Sequence, residues 1–400
     1  MSRTIKPVHA GVIAGTLTLL ASLTACGESA TGPAAAGSAD VPEWATGSSM
    51  ALVVGAHANA PAPTLTVPFQ EAVGAVVDSD RSVTLVLNDG SPAVTGEPLL
   101  LGNPDCKGTG CDTVRHRGVT QVQSKVAKMR ATAPENNLLE AIGVAARSTS
   151  PGDTVAVCDS GLQSTGALNF TRPGMLTATP AEVVDFLSST GSLPDLSGRT
   201  VVFSCLGDTA DPQEPLPTSA RGALIKLWAE LATAAGASSV YIDDTPVGGR
   251  PVKALPEVTP VPVPEVKSFK PTTAAPPVEV LREDRLAFLP DSTRFIDPAA
   301  ADATLKPYAT WLTQKASRRL HLTGTTSSAG TASGRKQLSQ ARADAVKAAL
   351  VAMGAPGGHI STDGVGMDWD GYVDDRDDNG TLLPAEASSN RSVIVEFRSK

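Results

Sequence analysis

Near the end of this 400-residue chain, six residues stand at the spacing of a calcium-binding loop. In DRDDNGTLLPAE, Asp375, Asp377 and Asn379 alternate, Gly380 supplies a sharp turn, and Thr381 and Glu386 follow where a backbone carbonyl and a closing bidentate carboxylate belong. A hard cation collects six or more oxygens from that order of residues. The preceding GVGMDWDGYVD has no helical period, so the usual entering helix is missing. Two readings stand: calcium at high micromolar to millimolar affinity, and an insertion of solvated acids.

Two further sets could do chemistry. Cys106, Cys111, Cys158 and Cys205 are an even number, which permits two disulfides in an oxidising compartment. Cys106 and Cys111 can close a Gly-rich loop, and Cys158 and Cys205 each end a strand-like run, so they meet if those strands are neighbours. A zinc site is the alternative, but no C-x-x-C pair is present and only His116 lies near in sequence. Finally, His57, Asp159 and Ser160 fall in loops after strand-like runs. A hydrolase would use them only if one pocket joins them, and the chain lacks a Gly-x-Ser-x-Gly elbow; the expectation is no catalysis.

The elements that must position these groups alternate. SMALVVGA, SVTLVLND, DTVAVCDSG, RTVVFSCLGD and SSVYIDD read as strands, separated by helix-like stretches at 66–78, 118–131, 137–148, 180–190 and 216–236. Strand and helix in alternation predict an α/β fold, a mostly parallel sheet with helices on both faces, over 48–246. Leu224, Leu227, Leu231 and Ala235 make a helical core stripe. Residues 247–280 are rich in Pro, Val and Thr, a semi-rigid extended linker expected to hold the two ends of the protein apart. From 281 to 400 a smaller α/β domain is predicted. Within it Leu320, Leu322 and Thr323 form a short strand that stops at Gly324, and Leu338, Ala341, Ala345, Ala349 and Met353 recur at helical spacing.

A net charge of -8 argues against nucleic acid as a partner. Arg3 and Lys6 precede an apolar stretch from Gly11 to Leu20, too short to span a bilayer and suited to an export signal over 1–25. Residues 26–47, rich in Ala, Gly and Ser, read as a flexible tether.

Three resemblances follow. Leu23-Thr24-Ala25-Cys26 resembles a bacterial lipobox, which implies lipid modification of Cys26 and attachment to the outer face of the cytoplasmic membrane, as in exported lipoproteins of the Gram-positive, actinobacterial type. Gly324, Thr326, Gly330, Leu338, Ser339, Arg342, Ala343 and Val346, with Asn390, Arg391 and Val393, match in register the OmpA-like peptidoglycan-binding pattern Gly-x-Thr-Asp-x-x-Gly, Asn-x-x-Leu-Ser-x-x-Arg-Ala-x-x-Val, Asn-Arg-x-Val. That resemblance covers about 281–398 and implies a non-catalytic domain that contacts peptidoglycan or another anionic wall component. Its ligand-gripping Arg would be Arg342, with Arg335, Ser327, Asn390 and Arg391 around it, and with no acid between Thr325 and Arg335 the resemblance implies a site that favours an anion over a zwitterion; the alternative is that Arg342 and Arg391 only brace the fold. Ser327 replaces the family Asp that takes an ammonium group, which would cost about 1.5 to 3 kcal/mol of binding. An envelope scaffold with a protein partner and no peptidoglycan binding is the alternative. The strand ends GAHANAP, ENNLLEAI and CDSGLQSTG resemble those of the von Willebrand factor A fold. Of that family's metal-site residues only Asp159 survives, because Gly55, His57 and Asn59 occupy the Asp, Ser and Ser positions; no metal is expected there.

Overall fold

A computed structural model describes residues 41–103, 105–263, 269–270 and 276–399. Cys26, the export signal and most of the tether fall outside them. The first half runs β1 (Met50–Gly55), α1 (Val67–Asp78), β2 (Ser82–Asn88), the short strands β3 (Ala93–Val94) and β4 (Leu99–Leu100), α2 (Thr109–Val126), α3 (Leu138–Arg147), β5 (Thr154–Cys158), α4 (Pro180–Ser189), β6 (Thr200–Ser204), α5 (Thr218–Ala234) and β7 (Ser239–Asp243). Its strand order is β3-β2-β1-β5-β6-β7, with β4 also on β2. The pairs β2-β1, β1-β5, β5-β6 and β6-β7 are parallel, and β3 and β4 are antiparallel. Crossovers therefore leave β1 in both directions, and the ends of β1 and β5 flank the switch point where such sheets leave a crevice.

The continuous apolar run of β1 follows from burial on both faces. Ala51 and Val53 enter the core beneath α3 and α5, while Met50, Leu52 and Val54 enter the one beneath α1 and α2. Trp44, in the stretch that composition assigns to the tether, is buried edge-on against Phe69 with ring centroids 5.3 Å apart. The sequence places a helix at 118–131; α2 instead starts at Thr109, just after the Cys106–Cys111 disulfide.

The second half runs β8 (Val278–Arg282), α6 (Pro298–Gln314), β9 (Arg318–Thr325), α7 (Ala332–Ala352), β10 (Ile360–Gly366), α8 (Pro384–Asn390) and β11 (Ser392–Ser399). Its sheet order is β10-β9-β11-β8, with α6 and α7 burying Tyr308, Trp311, Leu312, Ala343 and Val346 on one core. Two glycines let α7 lie against the strands: a Cβ on Gly324 would come within 2.0 Å of Ser339 O, and one on Gly364 within 2.1 Å of Gln340 N.

The Pro-rich segment does not act as a spacer, which corrects the expectation from its composition. Its first part lies across the carboxyl ends of the first sheet. Val247 N donates to Asp208 Oδ2, Ala62 N to Arg250 O, Glu135 N to Glu257 O, Asn59 Nδ2 to Val258 O and Val261 N to Gln213 Oε1. Val258 and Val261 are buried there. Polyproline backbone has no internal hydrogen bonds, so its amides and carbonyls are available to a neighbouring surface. The two halves also touch: Ala385 of α8 joins the core under α4 and α5, and Gly174 is required because a Cβ there would meet Ala385 O at 2.2 Å.

Candidate functional site

Where the first half touches the second, a cleft of about 370 Å³ opens. Its floor is the loop from β9 to α7. Thr325 holds the strand end, donating from Oγ1 to Asn390 O at 2.7 Å and accepting from Ser392 N at 3.0 Å. Thr331 caps α7, accepting from Gly334 N at 3.1 Å. Between them Thr326 and Ser327 face the cleft, both nearly buried, and Thr326 Oγ1 has no hydrogen-bond partner among the described residues.

The structure sorts the predicted arginines by role. Arg342, 5% exposed, donates to Ser292 O at 3.1 Å and Leu289 O at 3.4 Å and lies 5.0 Å over the Phe288 ring. It thereby pins the turn that carries Asp291 to α7. Burial pulls its pKa below the ordinary arginine value, and the charge of Glu283 opposes that. Arg335 ties the loop together through Ser328 O at 3.0 Å and Gly330 O at 2.6 Å. Arg391 is held on both oxygens of Glu182 at 2.7 Å and lies 3.0 Å from Glu283 Oε1. Burial alone would lower its pKa, but the bond and charges of Glu182 and Glu283 raise it. Burial pushes the Glu283 carboxyl up, against the pull of Arg391 and the Ser388 hydroxyl.

The expectation of a site without acids is therefore corrected. Glu182, Glu283 and Asp291 line the same cleft as Arg335, Arg342 and Arg391. They come from α4 and from the segment between β8 and α6, and no local window of sequence holds them together with the arginines. Asn390 does not face the cleft. Fully buried, it accepts from Val373 N and donates to Val373 O and Asp375 Oδ2.

The calcium-spaced residues are divided among other partners. Asp375 is buried and accepts from Ser328 N at 2.8 Å, Tyr372 Oη at 2.8 Å and Asn390 Nδ2 at 3.1 Å. Those bonds hold its pKa below the carboxylate range although burial opposes them. Asp377 accepts from Asn379 N and Thr381 N, and Glu386 pairs with Arg172 of the first half. Among the described residues no group of three His, Cys, Asp or Glu side chains could hold a metal ion.

At the carboxyl ends of β1, β2 and β5 a second polar cluster is sealed. His57 Nε2 lies 2.9 Å from Asp159 Oδ2 and 2.9 Å from Asn136 Nδ2, and its Nδ1 2.6 Å from Ala58 O, so each ring nitrogen has an acceptor beside it, and Nε2 has a donor as well. Asp159 also accepts from Asn88 Nδ2 at 2.7 Å, Asn136 Nδ2 at 3.1 Å and Gly161 N at 2.7 Å. Burial alone would lower the His57 pKa, but the charge and bond of Asp159 raise it; burial alone would raise Asp159, and His57 lowers it. Every side of Asp159 is engaged, so these residues do not fit a metal ion. Ser160 does not join them: its Oγ accepts from Leu162 N. The Cys158 and Cys205 sulfurs lie 2.6 Å apart, buried at the ends of the adjacent strands β5 and β6.

One observation identifies the second half. Residues 287–381 match the OmpA family. This OmpA-like domain contains most of the cleft's walls. Similar solved structures include the peptidoglycan-associated lipoprotein from Burkholderia pseudomallei, at 22% identity over 30% of this chain and 89% of that one, TM-score 0.24. Others are the cell wall anchor of the T6SS from Pseudomonas aeruginosa, at 21% identity over 31% and 81%, TM-score 0.25, and a periplasmic domain of Helicobacter pylori MotB, at 16% identity over 31% and 82%, TM-score 0.24. No curated protein matches the chain. Among the described residues no helix is long and apolar enough to cross a membrane.

Proposed function

We propose that this protein is a cell-envelope lipoprotein, anchored through Cys26, whose OmpA-like domain contacts peptidoglycan without catalysis. The first half, a von Willebrand A-like module without its metal site, serves as the body against which that domain is held. What carries the reading is the cleft at the start of α7: on a segment that matches the OmpA family, it puts Thr326, Ser327, Arg335 and Arg342 on one surface. Co-sedimentation of the whole chain with insoluble peptidoglycan tests it. The native protein is expected to sediment, Arg335→Glu to weaken binding about tenfold, and Ser327→Asp to strengthen it about as much, since a charged partner is worth roughly 1.5 to 3 kcal/mol.

The scaffold reading is favoured by a different observation: both terminal nitrogens of Arg391 are held on Glu182 of the first half, and its Nε lies 3.0 Å from Glu283. Native protein that stays in the supernatant while Ser327→Asp sediments would put this reading first.

A further inference from the structure

Cys158 and Cys205 stand outside both polar clusters. They lie at the ends of the neighbouring parallel strands β5 and β6, where Cys158 is in register with Ser204, one residue before Cys205. Both are buried in the core beneath α1 and α2. Their sulfurs, 2.6 Å apart, are inside the contact distance of two unbonded atoms of that size. A metal does not explain the approach, since among the described residues no group of three His, Cys, Asp or Glu side chains could hold one. Cys205 also stands in the left-handed region at φ 68°, which Gly would adopt at less cost. A larger residue persists there only where its surroundings over-determine it, and a covalent bond to Cys158 is such a restraint.

The two cysteines underlie the loops on which the Pro-rich segment rests. Cys205 opens one of them. Its carbonyl accepts from Asp208 N at 2.9 Å, and Asp208 Oδ2 accepts from Val247 N at 2.8 Å. Further along, Gln213 accepts from Val261 N at 2.7 Å and donates to Val261 O at 3.0 Å. Cys158 Sγ lies 3.5 Å from Thr64 O, in the loop after β1 from which Asn59 Nδ2 donates to Val258 O and Ala62 N to Arg250 O. The loops meet where Ala210 N donates to Asn59 O at 3.0 Å. Val247 packs on the core that contains both sulfurs.

We propose that Cys158 and Cys205 form a buried disulfide, and that this bond clamps the two loops that seat the Pro-rich segment. The Cys106–Cys111 bond already suits a chain that folds where thiols oxidise. Two S–H bonds break and one S–S bond forms. The two protons and two electrons pass to the disulfide of a thiol–disulfide exchange protein, which is left as a dithiol. Exchange runs through a thiolate, whereas contact with Cys205 and burial push the Cys158 thiol well above the ordinary range. The bond is therefore made before the loop after β1 and the Pro-rich segment cover the pair.

The full chain, exported from a bacterial host and purified without reductant, is denatured in iodoacetamide, digested and mapped by mass spectrometry. Cys158 and Cys205 are expected unalkylated and joined in one cross-linked peptide. Alkyl groups on either, or a bond from either to Cys106 or Cys111, would overturn the proposal. Hydrogen exchange tests the clamp. In Cys205→Ser the amides of Val247, Thr259 and Val261 are expected to exchange at least about tenfold faster than in the native chain, and in Cys106→Ser at the native rate. Protected amides in β5 and β6 show that Cys205→Ser is folded; if they are lost, the double variant Cys158→Ala, Cys205→Ala, which leaves no lone thiol in the core, takes its place. Native exchange of the Pro-rich segment in a folded variant that lacks the pair would show that the bond does not clamp its seat.

Discussion

The molecule holds two clusters in which histidine or arginine meets carboxylate, and their surroundings differ. At the strand ends of the first half, His57, Asp159, Asn88 and Asn136 are buried and bonded mainly to one another. At the junction with the OmpA-like domain, Arg391, Glu182 and Glu283 are comparably paired but border a cleft in which Thr326 stays unmatched. Burial makes both clusters costly to disrupt. Each leaves a buried atom without a hydrogen-bond partner among the described residues, Asn88 Oδ1 in the first and Thr326 Oγ1 in the second, but Thr326 lines a cleft.

The sharpest way to break that comparison is Asp159→Ala, which strands a charged His57 in the interior. A loss of about 3 to 5 kcal/mol is expected in denaturant titration; a loss under about 1 kcal/mol would show that water reaches the cluster. Arg391→Ala strands Glu283 at the junction instead. Because Glu182 can turn to solvent, the expected loss is smaller, about 2 to 3 kcal/mol.

Acidity separates the clusters next. The folded pKa of His57 is raised above the ordinary 6.5, so its contribution to stability is complete below that value and declines as pH rises through the folded one. Asp159, with its pKa lowered from 3.8, contributes above that value and loses its contribution as pH falls through the folded one. Stability should therefore fall on the alkaline side of pH 6.5, by at most about 1.4 kcal/mol per pH unit for one proton, and His57→Gln should flatten that limb. A native limb that is already flat would mean that the imidazole is neutral in the folded state. The smallest effect is expected from calcium. With Asp375 and Glu386 committed elsewhere, several millimolar calcium should leave the melting temperature unchanged, and a clear rise would restore the calcium loop.

Much of the framework was legible in the sequence because burial on both faces writes unbroken apolar strands, as in β1 and β5, and because α7 carries a long helical stripe. The start of α2 was not legible: its first turns hold Gly110, Cys111 and His116 and expose most of their surface, so no apolar period marks them. The short strands β3 and β4 are two residues each and mostly exposed, below what alternation can reveal. At the cleft, Arg335, Arg342 and Ser327 could be named in advance, since they lie on one helix and the loop before it, and Arg391 through the resemblance at Asn-Arg-x-Val. The acids could not, because Glu182 and Arg391 are 209 residues apart and nothing local links them. Asp375 shows the opposite failure. Its spacing to Glu386 fitted an ion, but a template specifies only order along the chain, while the fold turned Asp375 toward Ser328 and Asn390 and Glu386 toward Arg172.

The Pro-rich segment has a further consequence, in the arithmetic of encounter. Val261 is bonded to the first half, and Phe269 packs in the core of the OmpA-like domain. The eight residues from Pro262 to Phe269 reach about 29 Å at most when extended. A junction opened at Glu182 and Arg391 would still hold Val261 and Phe269 within that distance, and so keep its two faces at an effective concentration on the order of millimolar. Closure is then a first-order event that dilution cannot weaken, and any large partner entering between the halves competes with a neighbour that never diffuses away.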